Sequence, residues 1–291
     1  MISIILPTFN RLEYLRLTLE SVFAQTFEDW ELIIADDGSD VATREYLGAL
    51  AGAHRIERVW LSHTGNPAAV RNAALREARG DYVAFLDSDD LWAPRKLEAQ
   101  VALLHQRRAC QWSYTAFTRV DRRGIPLPEE RGRLWVPHEG AIFDEIARGE
   151  ASIRTPSVVA ARRLVLDAGC FDEALLAAED YDLWMRLALR SDVALVDEPL
   201  VSVRLHGDNM TQDWARGFTG RDFSLAKMQG RVDARRRALL RRERARNAAK
   251  LASTHAARHE WRSVCRTAWT SLPYSWPYPE WWWHTLRLAL K

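Results

Sequence analysis

The sequence contains few cysteines and no long apolar run. Its three cysteines, Cys110, Cys170 and Cys265, are scattered and odd in number. That pattern argues against a disulfide framework or a zinc finger and indicates a reducing, cytosolic setting. The first residues lack the charged leader of a signal peptide, and no stretch approaches the length of a membrane-spanning helix. We therefore expect a cytoplasmic globular protein.

Net charge is also low, but the two signs are separated along the chain. The formal net charge is +2. Residues 216–291 carry 17 Lys or Arg and 5 Asp or Glu, a net charge of +12, whereas residues 1–215 carry 24 and 34, a net charge of −10. An acidic body followed by a basic tail predicts two different partners. The length allows one large domain, or a core domain with an appendage.

The most informative stretch is GDYVAFLDSDDLW, residues 80–92. Bulky and aromatic residues predict a buried strand at 82–86, which runs into Asp87, Asp89 and Asp90. Like charges at the end of a buried strand repel each other unless a cation lies between them. Asp87 and Asp89 can converge on one hard ion such as Mg²⁺ or Mn²⁺. The alternative is helix capping, and we expect Asp90 to cap the next helix.

Strands and helices alternate over the first 95 residues, which predicts a parallel sheet covered on both faces. Ligands of such sheets bind beyond the carboxyl ends of the strands. The unusual polar residues fall at these ends, at 7–10, 36–39 and 87–90. The predicted strands are 3–6, 31–35, 56–61 and 82–86, and the predicted helices are 11–25, 41–50 and 68–78.

The alternation weakens after residue 95. Helices are predicted at 96–107, 142–148 and 181–190, strands at 110–120, 157–160, 193–196 and 200–205, and helix again from about residue 217.

Seven motifs arrive in a fixed order: PTFNR at 7–11, QT at 25–26, DDGS at 36–39, RN at 71–72, FLDSDD at 85–90, GCFDE at 169–173 and EDYDLW at 179–184. Together they resemble the family 2 inverting glycosyltransferases with the GT-A fold. The resemblance covers residues 2 to about 211. It implies a Rossmann-like, mostly parallel α/β sheet flanked by helices. The implied catalytic domain is 1–215, with a nucleotide-sugar half at 1–95, an acceptor half at 96–215 and a helical extension at 216–291.

The resemblance also implies a nucleotide-diphospho-sugar donor, a divalent metal and an acceptor hydroxyl. Asp37 would accept a hydrogen bond from the base, Asp87 would face the ribose or the metal, and Asp89 would be the main metal ligand. The implied donor-side residues are Pro7, Thr8, Asn10, Asp37, Arg71, Asp87 and Ser88. A metal ion suits this chemistry because negative charge grows on the leaving diphosphate.

Asp180 is the implied catalytic base. The acceptor hydroxyl must lose a proton as it attacks, and a carboxylate on the opposite face of the sugar can take it. A single displacement then inverts the anomeric centre, as in inverting glycosidases. The alternative for Asp180 is an N-cap of the helix that follows. Glu179 and Asp182 compete for the role of base, although Asp182 is expected to lie beside the acceptor or to brace the loop.

Two further site assignments leave alternatives open. Arg71 lies near the nucleotide by resemblance, or it is a surface arginine that pairs with acids. Residues 204–209, RLHGDN, resemble a loop that closes over the donor. Arg204 belongs to that loop, and His206 would contact the diphosphate or complete the metal sphere. A structural role for His206 is the alternative.

The tail combines basic and aromatic residues. Residues 231–246 contain eight arginines, and Trp269, Trp276 and residues 281–283 add tryptophans. Such residues favour an anionic bilayer surface, which predicts peripheral membrane binding through 231–291. The alternatives are packing on the catalytic domain or on a second subunit in a homodimer, and nucleic-acid binding. Nothing else in the sequence supports nucleic acid, so we expect none as a partner.

The sequence thus predicts a metal-dependent inverting glycosyltransferase at the inner face of the cytoplasmic membrane. Its acceptor would be a glycan or a lipid-linked glycan of a cell-surface polysaccharide, lipopolysaccharide or glycolipid. A sugar nucleotidyltransferase is the second hypothesis, but the Gly-rich basic motif of that class is missing between residues 7 and 16. A non-catalytic scaffold is the third, and the four acids Asp37, Asp87, Asp89 and Asp180 argue against it.

Overall fold

The computed structural model describes residues 1–50, 56–128, 136–207, 213–278 and 283, and within them one eight-stranded sheet is present. The order of its strands is β3-β2-β1-β4-β7-β6-β8-β5. The strands are β1 (Ile2–Thr8), β2 (Trp30–Asp36), β3 (Ile56–Trp60), β4 (Tyr82–Phe85), β5 (Leu91–Trp92), β6 (Cys110–Val120), β7 (Val159–Ala161) and β8 (Asp192–Arg204).

The helices cover both faces of this sheet and then continue beyond it. The first seven are α1 (Leu12–Phe23), α2 (Val41–Ala49), α3 (Pro67–Glu77), α4 (Lys96–Gln106), α5 (Phe143–Arg148), α6 (Arg162–Asp167) and α7 (Glu179–Ala188). The last three are α8 (Trp214–Met228), α9 (Ala234–Ala257) and α10 (Trp261–Ser275). The elements predicted up to residue 120 are confirmed, apart from small shifts at their ends, and β5 was not predicted. One later prediction was wrong, because the strands at 193–196 and 200–205 are one strand, β8, and helix α6 was not predicted.

The sheet is parallel where it carries the polar motifs. β1 pairs in parallel with β2 and β4, and β2 pairs in parallel with β3. Farther along, β7 runs antiparallel between β4 and β6, while β6 and β8 are parallel to each other. Thr8 lies opposite Asp36, and Ile5 lies opposite Phe85. The carboxyl ends of β1, β2 and β4 therefore meet at one edge, as predicted.

Alternating residues of the central strands are buried on opposite faces of the sheet. Ile5 and Phe85 belong to one apolar cluster, with helices α3, α5, α6 and α7. Ile4 and Ala84 belong to the other, with α1, α2 and α4. Strands covered on both faces read as nearly continuous apolar runs, which is why their positions were predictable from sequence.

The C-terminal helices join the core rather than leaving it. Leu225 and Met228 of α8 and Leu240 of α9 are fully buried in the same cluster as Trp184 of α7. Trp281 and Trp282 of the predicted membrane-binding tail lie outside the described residues. Among the helices that the structure describes, none has the length and apolarity needed to cross a bilayer.

Candidate functional site

The ends of β1 and β2 hold Asp37 in a network of hydrogen bonds. The Asp37 amide donates to the Thr8 carbonyl at 2.9 Å. One carboxylate oxygen of Asp37 accepts from the Thr64 amide at 2.8 Å, and the other accepts from the Gly65 amide at 3.0 Å. The loop at 63–65 thus fixes the carboxylate that was predicted to contact the base. Gly38, with φ +78°, makes the turn, and a side chain there would collide with the backbone of residue 63.

The other residues of this edge lie around Asp37. Asn10 accepts from the Asp40 amide at 2.6 Å, and its own amide donates to Ser39 at 3.0 Å. Pro7 is half-buried at the end of β1, and Thr8 next to it is buried. In the described part of the chain, the Thr8 hydroxyl oxygen has no hydrogen-bond partner. A buried polar atom of this kind fits a place where a ligand supplies the missing bond.

A second cluster joins Asp89 to the predicted loop histidine. The Nε2 atom of His206 lies 2.9 Å from the Asp89 Oδ2 atom, and both side chains are buried. Arg11 makes an ion pair with the same Asp89 oxygen. The ring of Tyr14 stacks on His206, with 5.1 Å between centroids. Asp89 and His206, both predicted site residues, thus lie in direct contact, and their role as metal ligands stays a prediction.

The prediction that Asp90 caps the next helix was wrong. Helix α4 begins at Lys96, and the Asp90 carboxylate instead accepts the Arg204 amide at 2.8 Å. The guanidinium of Arg204 is buried and donates from Nε to the Asp89 carbonyl at 2.9 Å. Burial and the nearby charges of Asp89 and Asp87 raise the pKa of Asp90 well above its usual value. Arg204 therefore holds the acidic loop in place.

Arg71 links the donor motif to the acceptor motif. One guanidinium nitrogen donates to Asp87 at 2.6 Å, and another donates to Glu179 at 2.7 Å. Arg71 is buried, so the interpretation as a surface arginine was wrong, although its pairing with acids is confirmed. Burial opposes its charge, but Asp87 and Glu179 raise the pKa of Arg71 above its usual value. Ser88, next to Asp87, is buried as well.

Asp180 lies in the first turn of α7, directly after Glu179. Its Oδ2 atom accepts from the Thr155 hydroxyl at 3.1 Å, and its Oδ1 atom accepts from the Tyr181 amide at 2.7 Å. The N-cap position belongs to Ala178, so Asp180 is not the N-cap. Burial raises the pKa of Glu179, Arg71 opposes this, and the charge of Asp180 raises it further. Glu179 is thus paired with Arg71, whereas the hydrogen-bond donors to the Asp180 side chain in the described part of the chain are uncharged.

Asp182 is fully buried and binds two cations. Arg186 donates to its Oδ2 atom at 2.8 Å, and the Lys227 ammonium lies 2.7 Å from its Oδ1 atom. Both oxygens of the Asp182 carboxylate thus face cations. The expectation that Asp182 lies beside the acceptor or braces the loop stays a prediction, and these ion pairs favour the bracing role.

The residues present fit a divalent metal at Asp89. A carboxylate oxygen and an imidazole nitrogen are suitable ligands for such an ion. The ion pair with Arg11 shows that the carboxylate attracts a cation. Asp87 is turned toward Arg71, and the residues that the structure describes contain no group of three or more His, Cys, Asp and Glu arranged to hold a metal. The three-ligand set predicted from sequence is therefore not assembled here.

Several residues of the site were not assigned a role from sequence. Arg11, the N-cap residue of α1, contacts Asp89, and Tyr14 on α1 contacts His206. His63 stacks on Phe9 beside Asp37, with 4.1 Å between centroids. Asn72 exchanges hydrogen bonds with Phe171 at 2.9 and 3.0 Å. The RN motif at 71–72 thus binds both the GCFDE segment at 169–173 and the EDYDLW segment at 179–184. These contacts span about 100 residues, so local sequence patterns could not predict them.

Residues 3–167, more than half of the chain, match the model of the family described as glycosyl transferase family 2. TuaG of Bacillus subtilis, which is named as a proposed glycosyltransferase of teichuronic acid biosynthesis, is 40% identical over 128 residues, covering 44% of this chain and 50% of TuaG. WfgD of Escherichia coli, named as a UDP-Glc:α-D-GlcNAc-diphosphoundecaprenol β-1,3-glucosyltransferase, is 27% identical over 68% of this chain and 73% of its own. The chain spans only 29% to 50% of the length of some curated relatives.

Solved structures share the fold at low sequence identity. The mannosyltransferase PcManGT of Pyrobaculum calidifontis, determined with GDP-Man and Mn²⁺, is 17% identical with a TM-score of 0.64. The similarity covers all of this chain and 86% of the mannosyltransferase. The GT-A fold expected from the sequence motifs, with its mostly parallel central sheet and helical C-terminal region, is thereby confirmed.

Proposed function

The chain belongs to glycosyl transferase family 2, and we propose that it moves a sugar from a nucleotide-diphospho-sugar to an acceptor hydroxyl, with inversion at the anomeric carbon. One observation carries the proposal: the two ion pairs of Arg71 join Asp87 of the donor motif to Glu179, the neighbour of Asp180. A carboxylate of the donor motif and the residue next to the proposed base are thereby bound to one buried guanidinium.

The donor would bind along the edge formed by β1, β2 and β4. Asp37 and Asn10 would contact the nucleoside with the half-buried Pro7 and the unsatisfied Thr8 hydroxyl, while Asp87 would face the ribose or the metal. WfgD is named for a UDP-sugar and PcManGT was determined with a GDP-sugar, so donors of both kinds are the ones to test.

Asp180 would remove the proton from the attacking acceptor hydroxyl. The Thr155 hydroxyl and the Tyr181 amide orient its carboxylate without neutralising it. Glu179 and Asp182 are less suited to this role, because each is paired with a buried cation. With Asp180 acting directly on the acceptor, a single displacement gives inversion.

The experiment that tests this function measures release of nucleotide diphosphate from UDP-Glc, UDP-GlcNAc and GDP-Man, with candidate hydroxyl acceptors, at several concentrations of Mn²⁺ and Mg²⁺. We expect one donor to be consumed and its sugar to appear on the acceptor with inverted anomeric configuration by NMR. A retained configuration would rule out Asp180 as a base in a single displacement. Formation of a nucleotide-sugar from a sugar phosphate would instead support the nucleotidyltransferase hypothesis.

We also propose that the enzyme uses a divalent metal, held by Asp89 and His206, with Asp87 as a further candidate ligand. Such an ion stabilises the charge that develops on the leaving diphosphate. Arg11, at the start of α1, makes an ion pair with the Asp89 oxygen that would bind the metal. We infer that the guanidinium of Arg11 competes with a metal for Asp89.

Replacing Arg11 with glutamine should raise the affinity for Mn²⁺ by about tenfold in the absence of nucleotide, since removing a cation a few ångströms from a metal relieves a repulsion of that order or more. Calorimetric titration of Mn²⁺ into the folded protein measures this. Arg16→Gln, an exposed arginine on the same helix, is the control and should change nothing. Weaker Mn²⁺ binding in Arg11→Gln would contradict the proposed competition.

The acceptor we propose is a glycan or lipid-linked glycan, in the synthesis of a cell-surface polysaccharide, lipopolysaccharide or glycolipid. The name of WfgD specifies a lipid diphosphate acceptor.

Helix α10 presents a surface suited to membranes. Trp269 and Leu272 on α10 and Trp276 directly after its end lie three and four residues apart, and the two tryptophans are 76% and 78% exposed. Arg262 and Arg266 are exposed nearby. Aromatic residues flanked by arginines favour an anionic bilayer surface, so we propose peripheral binding to the inner face of the cytoplasmic membrane.

Replacing both Trp269 and Trp276 with serine should weaken binding to vesicles that contain anionic lipid by about tenfold or more, because two large apolar side chains lose their burial. Vesicle co-sedimentation measures this at low and high salt. Trp60→Ser, at an exposed tryptophan on β3, is the control. If the double variant instead abolishes a concentration-dependent dimer seen by light scattering, the same face is a homodimer contact.

A further inference from the structure

Helix α8 lies outside the segment that matches the family model, yet its backbone packs on the loop that precedes Asp180. Gly220 is buried at this contact. A Cβ atom added to Gly220 would lie 2.1 Å from the Ala177 carbonyl oxygen and 3.3 Å from the Ala178 side chain. Only glycine permits this approach, because no real side chain tolerates a contact of 2.1 Å with backbone. Gly220 thus allows α8 to pack closely against the residues just before α7.

A second contact ties α8 to both ends of the same segment. The Lys227 ammonium lies 2.6 Å from Asp172 and 2.7 Å from Asp182. Asp182 is fully buried, and Arg186 binds its other oxygen. Lys227 therefore supplies the second cation beside Asp182 and also binds Asp172, so that one side chain of α8 bridges the two ends of residues 172–182. Asp180 lies within this segment.

The backbone at the start of α7 needs such support. Ala178, with φ +59°, is in the left-handed region that non-glycine residues seldom adopt. Residues in this conformation persist when their surroundings enforce it, and they are common at functional sites. Arg221, next to Gly220, donates to the Ala147 carbonyl at 2.8 Å and lies over the ring of Tyr181 at 5.1 Å. Helix α8 thus contacts the residues on both sides of Glu179 and Asp180.

We propose that α8 is a positioning element for the proposed base, with Gly220 and Lys227 as its positioning residues. The inference rests on the proposed function, since it assigns a role to Asp180. Thr155 restrains the Asp180 carboxylate from the sheet side, and α8 fixes the backbone that presents it. The C-terminal region is then part of the transferase machinery in addition to any surface contact that it makes.

The test compares variants that differ only at these contacts. Gly220→Ala and Lys227→Met are measured against Gly217→Ala, where an added Cβ atom on the same helix meets nothing within 4 Å. We expect Gly220→Ala and Lys227→Met to lower kcat by at least about tenfold, because displacement of a catalytic group by 1 Å costs on the order of 10²-fold. Their affinity for the nucleotide diphosphate should stay within twofold of wild type, and Lys227→Arg should recover most of the rate.

Hydrogen–deuterium exchange gives a readout that needs no acceptor. Amides at 172–183 should exchange faster in Gly220→Ala and Lys227→Met, while those of β1 and β2 stay unchanged, and Gly217→Ala should match wild type. Unchanged exchange at 172–183, or a kcat within twofold of wild type, would overturn the inference. An equal loss of nucleotide binding and kcat would also overturn it by indicating general unfolding. A wild-type protein that transfers no sugar would refute the proposed function separately, whatever the exchange shows.

Discussion

Replacing Asp180 with asparagine will lower the rate of sugar transfer by roughly 10²–10⁴-fold, the usual contribution of a general base. Asparagine has nearly the same shape and keeps an oxygen that can accept the Thr155 hydroxyl, but it cannot take a proton. Binding of the nucleotide diphosphate should be unchanged, because the proposed donor residues lie at the ends of β1, β2 and β4 and on α3, and Asp180 is not among them. Single-turnover transfer and calorimetric nucleotide binding, measured on the same preparation, separate these two effects.

Glu179→Gln is the comparison that decides between neighbouring carboxylates. Glu179 is paired with Arg71 at 2.7 Å, so its loss should weaken the support of the site and reduce transfer less than Asp180→Asn does. Asp167→Asn, at an exposed carboxylate that pairs with Arg163, should have no effect. Full activity in Asp180→Asn would remove Asp180 as the base, and a larger loss in Glu179→Gln would transfer the role to Glu179.

Replacing Asp89 with alanine will abolish the dependence of nucleotide binding on metal. We expect affinity for the nucleotide diphosphate in Mn²⁺ to fall at least about 100-fold, because a bound divalent ion contributes several kcal/mol and each 1.4 kcal/mol is tenfold. The affinity measured with chelator should change little. Calorimetric titrations with Mn²⁺ and with chelator, on wild type and variant, give both values.

Two further variants distinguish loss of the metal ligand from loss of folding in this experiment. Asp89→Asn keeps an acceptor for His206 and should lose the metal dependence as Asp89→Ala does. Asp81→Ala removes an exposed carboxylate at the opposite end of β4 and should bind as wild type does. Metal-dependent binding that survives in both Asp89 variants would show that Asp89 does not hold the ion.

The half of the fold that carries the donor motifs could be predicted because its signals are local. Apolar runs of four to seven residues give the buried strands β1, β2 and β4, and helical periodicity gives α1 and α4. Later elements depended on partners far away in sequence. Strand β8 reads as two strands because Pro199 interrupts it, yet Pro199 lies opposite Ala116 at an irregularity in the pairing with β6.

In the site, too, residues within a local motif could be predicted, whereas contacts between residues far apart in the sequence could not. The acids at 87, 89 and 180 were recognisable by their motifs, as were Arg71 and His206, whereas the contacts of Arg11 with Asp89 and of Thr155 with Asp180 were not foreseen. Arg11 is 78 residues from Asp89, and Thr155 is 25 residues from Asp180. Asp90 follows the local rule for a helix cap, but the Arg204 amide, 114 residues away, takes its carboxylate. A local preference for helix capping is overridden where a buried backbone amide needs a hydrogen-bond acceptor.

The central claim, a metal-dependent nucleotide-diphospho-sugar site at the edge of β1, β2 and β4, is tested most directly by titrating wild-type protein with UDP, GDP, ADP and TDP, with Mn²⁺ and with chelator. We predict that one nucleotide diphosphate binds, that binding weakens strongly when the metal is removed, and that the bound nucleotide identifies the class of donor. If the folded protein binds none of the four with metal present, the transferase site is contradicted and a non-catalytic scaffold becomes the better account.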